Sequence, residues 1–247
     1  MYLTWTAIYA PLAIYYYASN EVPVIKAVPL YIRGVILTGE NYKSWPLWYL
    51  LSTIYTLIII GVVLKKAKKP VYAFTVICIS ASVLSVGITE IIYYNGNPSS
   101  TIRILQKLIK YTLTYGRLFD GITYIPIGML LAYKKIPRFI NWLCLIIGFL
   151  ANYYIENTII SSYLLMLTAI ALFGIVKDIE LKNHSVFSKL RKMSTIIYLI
   201  HMYIWTFYYK IVYGKPTYGL DSFLITSCLA VVIAAAYTTM EKRFKDR

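Results

Sequence analysis

A histidine stands in the middle of an apolar stretch, Ser194-Thr-Ile-Ile-Tyr-Leu-Ile-His-Met-Tyr-Ile-Trp-Thr-Phe-Tyr-Tyr209. Imidazole titrates near neutral pH, so His201 is suited to take a proton from a hydroxyl as a general base. At 100° per residue, Ser194, Tyr198, His201, Trp205 and Tyr208 share one stripe of a helix. Ser194 and Tyr198 are therefore placed to orient the imidazole by hydrogen bonds. His201 lies nine residues beyond Lys192, roughly 13 Å of helix rise, near the middle of a hydrocarbon core about 30 Å thick. A polar group at that depth needs a partner, which predicts that the stripe faces a bundle interior or an internal cavity. The spacing fits a histidine that only bonds across helices as well as it fits a base.

Other reactive groups cluster differently. Arg117 and Asp120 are three residues apart at the start of a helix, where they can pair as an exposed couple or line a vestibule together with Glu90 and Glu156. His184, beside Lys182, reads as a solvated loop residue. Cys78, Cys144 and Cys228 all fall in apolar runs, as small hydrophobes, with neither a disulfide framework nor metal-ligand spacing, so no metal is expected. Thr75, Cys78, Ser82, Ser85 and Thr89 form a stripe of small residues, the pattern of close helix packing.

These residues need membrane-spanning helices to hold them. The chain has 247 residues, 59% hydrophobic and only 14% charged, with a mean hydropathy of +0.63. A soluble domain carries roughly 25% charged residues. Apolar runs predict an all-α, polytopic bundle of about eight spans, near 2–18, 45–64, 71–93, 118–133, 139–155, 158–176, 193–212 and 221–240. The net charge of +15 does not mark a nucleic-acid binder. Its Lys and Arg gather in short clusters between the runs, at 65–69, 134–138, 182–192 and 242–247, with no basic motif interleaved by aromatics. With Met1 inside, 16 of the 25 Lys and Arg fall in inner segments, which predicts both termini on the cytoplasmic side of the plasma membrane.

Two outer segments are long. Residues 19–44 carry Pro23, Pro29 and Gly34 among apolar residues and are expected to lie on the membrane or dip into it. Residues 95–117 open on the turn Asn95-Gly-Asn-Pro98 and continue as an amphipathic helix with Arg103, Lys107 and Lys110 on one side, either an interfacial strut or part of a substrate site. No internal repeat or linker divides the chain, so one membrane domain over 1–247 is expected.

Several stretches resemble a known family. "WPLWYLLSTIYTLI" (45–58), which contains Trp48, resembles the Trp-rich helix start of the acyltransferase 3 family. "GRLFDGITYIPIGMLLA" (116–132) resembles that family's Arg-containing helix entry. "KMSTIIYLIHMYIWTF" (192–207) resembles its late helix with Ser, Tyr and His in order, and "YLTWTAIYAPL" (2–12) resembles a helix running from Trp to Pro. The membrane half of certain vancomycin-resistance serine racemases is similar. The resemblance implies an integral membrane enzyme that moves an acyl group, often acetyl, from cytoplasmic acetyl-CoA or another acyl-CoA to an envelope carbohydrate or related acceptor. It implies His201 as catalytic residue, and Arg117, Asp120, Ser194, Tyr198 and Trp48 as substrate-binding residues, with membrane lipid and the acceptor as partners.

One motif departs from the pattern. The family's first helix carries an Arg and a His with ten residues between them. Here the residues at the matching distance before the two histidines are Phe173 and Leu190. Met1 is followed at once by membrane sequence without a charged flank, so the chain reads as though about two family helices precede it. The expectation is that this chain alone has little or no acyl-transfer activity, with His201 at most a supporting or substitute residue. The rival expectation is a non-catalytic transport or export component, or a partner of an envelope enzyme.

Overall fold

The computed structural model describes every residue except 95, 97, 115, 134–135, 156, 180–184 and 246–247, and describes 158, 185 and 242–245 by backbone alone. The readings made above for Glu156, His184, Lys182, the 134–138 cluster at Lys134 and Lys135, the turn at Asn95 and Asn97, and the C-terminal basic side chains lie outside the described residues.

Among the described residues all regular structure is helical. The α-helices are α1 (Tyr2–Ser19), α2 (Val24–Arg33), α3 (Leu47–Lys66), α4 (Pro70–Tyr93), α5 (Ser100–Thr112), α6 (Arg117–Tyr133), α7 (Arg138–Tyr154), α8 (Thr158–Lys177), α9 (Ser185–Val212) and α10 (Leu220–Lys245), with a π-helical turn Gly34–Thr38 after α2. Local chemistry sets several starts. Pro70 opens α4, where its missing N–H costs nothing. The side chains of Ser99 and Asn157 accept the Ile102 and Ile160 amides at the starts of α5 and α8.

Four helical stretches are long and apolar enough to cross a membrane: Leu47–Lys66, Pro70–Tyr93, Ile159–Lys177 and Leu220–Glu241, with mean hydropathies of 2.0 to 2.3. The chain is a membrane protein. The other four expected spans are also helices, but α6 and α7 have 17 residues each, about 25 Å of rise, and so fall short of a core about 30 Å thick. α1 and α9 dilute their apolar residues with Tyr, Thr and Trp, and α9 begins with the basic residues Lys189, Arg191 and Lys192. Length and apolarity thus support four crossings. The figure of eight rests on the charge pattern.

The chain folds as two compact units, one made of Met1–Val35, Gly39–Leu47 and Lys182–Arg247, the other of Ile36–Thr38 and Trp48–Leu181. In the second unit α7 packs on α8 and α4 on α6. Small residues permit close approaches: a Cβ on Gly174 of α8 would stand 2.6 Å from Asn141 Nδ2 of α7, and one on Gly121 of α6 2.7 Å from Ser52 Cβ of α3. Cys78, Ser82 and Ser85 of the small-residue stripe are buried, while Thr75 is exposed. Cys78 Sγ donates to the Thr123 carbonyl at 3.5 Å, and the Ser85 hydroxyl donates to the Asp120 carboxylate.

In the first unit α9 packs on α10. The Tyr9 hydroxyl ties α1 to α9 by donating to the Leu199 carbonyl at 2.5 Å. Tyr31 of α2 reaches the Thr6 carbonyl of α1 at 3.4 Å. The segment 39–46 returns to α9 through Tyr42, whose ring stacks on Tyr16 at 4.3 Å and whose hydroxyl is 3.4 Å from that of Tyr209.

Candidate functional site

The helix that carries His201 buries Leu199, Met202, Trp205, Thr206 and Tyr209. At 100° per residue, that face is turned by roughly a fifth of a turn from the stripe expected above. The interior-facing expectation holds for Trp205 and not for Ser194 or Tyr198, which are exposed. Packing decides this: Leu199 and Thr206 are fully buried, while Ser194 and Tyr198 of the polar stripe are left exposed. Ser194 Oγ donates to the Arg191 carbonyl of its own helix at 2.9 Å and so does not orient the imidazole. Tyr208 donates to the Asp221 carboxylate at 3.0 Å.

His201 is half-buried. The expected partner on a neighbouring helix is replaced by one on its own helix, since Nδ1 lies 2.6 Å from the Tyr198 carbonyl oxygen. A carbonyl only accepts, so Nδ1 carries the proton. In the neutral ring Nε2 then keeps its lone pair. Tyr198 thus positions the imidazole through its backbone rather than its hydroxyl.

His201 lines a cleft of about 430 Å³ between α9 and α10, with Trp45, Trp205, Tyr218, Ser222 and Thr226 among the walls. Trp205 stacks on Tyr218 at 5.1 Å between centroids, and its indole N–H donates to the Thr217 carbonyl at 3.2 Å. Ser222 Oγ donates to the same carbonyl at 3.3 Å. Thr226 is only 7% exposed, and its hydroxyl has no hydrogen-bond partner. The buried helical threonines Thr56, Thr123, Thr206 and Thr238 all donate to the carbonyl four residues earlier. Thr226 leaves that option unused and holds a donor at the cleft wall. An unpaired buried hydroxyl costs about 1–3 kcal/mol, so a polar ligand atom would gain by meeting it.

Behind this wall sits Lys43, 7% exposed. Its Nζ lies over four rings: Trp205 at 4.3 Å, Tyr209 at 5.2 Å, Trp45 at 5.3 Å and Tyr42 at 5.4 Å. Among the described residues no carboxylate pairs with it, so the ring faces are its counter-charge. Burial, and secondarily the Lys210 ammonium, lowers its pKa. Lys43 also has a left-handed backbone, φ 60°, a strain of order 1 kcal/mol for a residue with a Cβ. The turn is held by the Asn41 amide, which donates to Ser44 Oγ at 2.7 Å. The cation fastens segment 39–46 to α9 and fixes Trp45 at the mouth of the cleft.

The remaining expected site residues belong to the second unit. Asp120 accepts from Ser85, and the Arg117 charge acts on its carboxylate. The Ser85–Asp120 bond joins α4 to α6. Trp48 is half-buried and meets Tyr49 edge-on at 5.9 Å. The structure therefore gathers His201, Ser194 and Tyr198 in one unit and Arg117, Asp120 and Trp48 in the other. Sequence reasoning passed over Lys43, Trp45, Tyr218 and Thr226. The signal for Lys43 was a lone cation within Tyr42-Lys-Ser-Trp45, but nothing in the spacing marks Thr226. Compared with protein-family models, curated proteins and solved structures, the chain matches none.

Proposed function

We propose that the chain is an integral membrane acyltransferase, moving an acyl group, acetyl foremost, from a cytoplasmic acyl-CoA to a hydroxyl of an envelope carbohydrate. The observation that carries this reading is the state of His201: Nδ1–H is committed to the Tyr198 carbonyl, which leaves Nε2 as a base at the wall of an apolar cleft. The Nε2 lone pair would take the acceptor hydroxyl proton as the oxygen attacks the thioester carbonyl. The C–S bond then breaks, and the departing thiolate receives the proton. Thr226 supplies a donor for the carbonyl oxygen as its charge grows. Base and cleft lie wholly in the first unit, so this chemistry needs none of Arg117, Asp120 or Trp48 within reach of His201.

The same reading takes eight crossings, α1, α3, α4, α6, α7, α8, α9 and α10, with both ends cytoplasmic in the plasma membrane. The support is the placement of Lys65, Lys66, Lys68, Lys69, Arg138, Lys189, Arg191 and Lys192 on alternate connections. α2 and α5 then lie along the outer surface.

The test is transfer of labelled acetyl from acetyl-CoA by the purified chain in nanodiscs, with envelope polysaccharide as acceptor. His201→Ala should lower the rate by about 10²–10⁴-fold, the usual worth of a general base, with unfolding unchanged. Thr226→Val should cost about 10–100-fold while leaving stability equal or higher, because it deletes an unpaired donor. Full activity in His201→Ala would remove the base from this site. An inactive wild-type chain would favour the non-catalytic reading.

A further inference from the structure

The geometry points to an acidic sugar as the occupant of the cleft beside His201, with its anionic group turned toward Lys43; this rests on the reading of that cleft as an acceptor site. Lys43 is a buried cation whose donors are unused. Lys177 Nζ donates to the Leu131 carbonyl, and Lys192 pairs with Glu241 at 3.1 Å. Lys43 is more deeply buried than either. Among the described residues no carbonyl, hydroxyl or carboxylate accepts from its ammonium. Ring faces offset part of the cost of burying the charge, but they leave its three N–H donors unmet. The Lys210 ammonium acts on it with the same sign. Asp221, next to the cleft residue Ser222, is engaged by the hydroxyls of Tyr208 and Tyr213.

The cation and the cleft share two walls, because Trp45 and Trp205 belong both to the box around Lys43 and to the cleft lining. Nζ lies 5.3 Å from the Trp45 ring centroid. A ligand group touching the far face of that ring, about 3.5–4 Å away, is therefore roughly 9 Å from the charge. Opposite unit charges at that distance beneath a protein surface favour binding by about 10–20-fold. Among the described residues no acidic side chain lines the cleft to oppose this. At its mouth Trp45 is 39% exposed and Tyr218 77%, flat ring faces on which the C–H face of a sugar packs. The Thr226 hydroxyl, buried without a partner, gives a sugar oxygen its hydrogen bond. Mostly aromatic and apolar walls with a few fixed polar groups are those of a small-molecule site. A hydrocarbon chain would satisfy neither Thr226 nor Lys43, and a neutral sugar would satisfy only the first.

The test is calorimetric titration of the full chain in phosphatidylcholine nanodiscs, without acyl-CoA. The probes are three trisaccharides that differ only in the terminal sugar: glucose, glucuronate or glucose 6-phosphate. An acidic ligand should bind about 10–20-fold tighter than the neutral one, and the two acidic arms separate a carboxylate from a phosphate. The preference should persist near 1 M salt, where exposed charges are screened beyond about 3 Å and buried ones much less. R103Q/K107Q/K110Q, which removes three exposed cations of α5, should keep it. Lys43→Met should bind the neutral trisaccharide as the wild type does and lose the preference. His201→Ala should keep it, so failure of the transfer reaction leaves this result readable. Equal binding of all three ligands by the wild type would overturn the assignment, even if Lys43→Met proved unstable or the chain transferred acetyl. So would a preference that survives in Lys43→Met, or binding of coenzyme A that Lys43→Met abolishes, which would give the cation to the donor.

Discussion

Lys43 holds a full charge in a box of rings, and two opposing effects decide how it titrates. Burial and the nearby Lys210 ammonium favour the neutral amine. The four ring faces favour the ammonium, by about 0.5–2 kcal/mol in sites of this kind. The net direction is a pKa below the ordinary 10.5. In the window between the lowered value and 10.5 the unfolded chain holds the proton and the folded one has released it, so stability rises with pH there. Unfolding midpoints of wild type and Lys43→Met should therefore diverge in favour of the wild type across that window. The slope attributable to this one group is at most about 1.4 kcal/mol per pH unit. Below the window the difference should be flat; a difference that falls with rising pH would mean that the rings outweigh burial. His201 itself was visible in the sequence, because an ionisable group inside an apolar run is rare. Its tautomer was not, because that depends on a rotamer that brings Nδ1 onto a carbonyl of its own helix.

Helices in this protein approach one another where a side chain is missing. Gly121 of α6 faces Ser52 of α3, and Ser52 Oγ donates to the Leu118 carbonyl at 2.5 Å. Gly121→Ala would force its methyl into Ser52 and separate the two helices, costing about 1–3 kcal/mol as an overpacked contact. Gly61, on the exposed side of α3, has nothing within 4 Å of where a Cβ would stand. Gly61→Ala should stabilise by about 0.5–1 kcal/mol through helix propensity alone. Thermal unfolding of the two variants in one detergent checks both signs. Periodicity and turn residues foretold a helix over each of the eight apolar runs and over 100–110. They also foretold a segment at 19–44 that lies on the membrane or dips into it, of which 24–38 is helical. Pro29 falls inside α2, where proline is disfavoured in water, and the helix runs on into the π-helical turn at Gly34–Thr38.

At the scale of the whole molecule, a charge of +15 distributed in clusters sets the expected orientation in the membrane. A cysteine at Lys68 should react with an impermeant maleimide only after cells are opened, whereas a cysteine at Lys107 in α5 should react in intact cells. Labelling of position 68 from outside would reverse the assigned sides. The division into two units has no counterpart in the sequence. Residues 39–47 join the C-terminal helices while residues 36–38 join the second unit, a separation of a few residues that no change of composition marks.

Composition and apolar run lengths were enough to specify a helical membrane protein, because satisfying backbone groups in hydrocarbon leaves few alternatives. The spacing of Arg103, Lys107 and Lys110 was enough to place a basic stripe on α5. Which face of α9 turns inward was decided only in three dimensions, where Leu199 and Thr206 are buried and His201 is left half-buried. The cage around Lys43 needed tertiary structure for the same reason. Tyr42 and Trp45 are its neighbours in sequence, but Trp205 and Tyr209 arrive from the far end of the chain, and no local pattern encodes a contact across that distance.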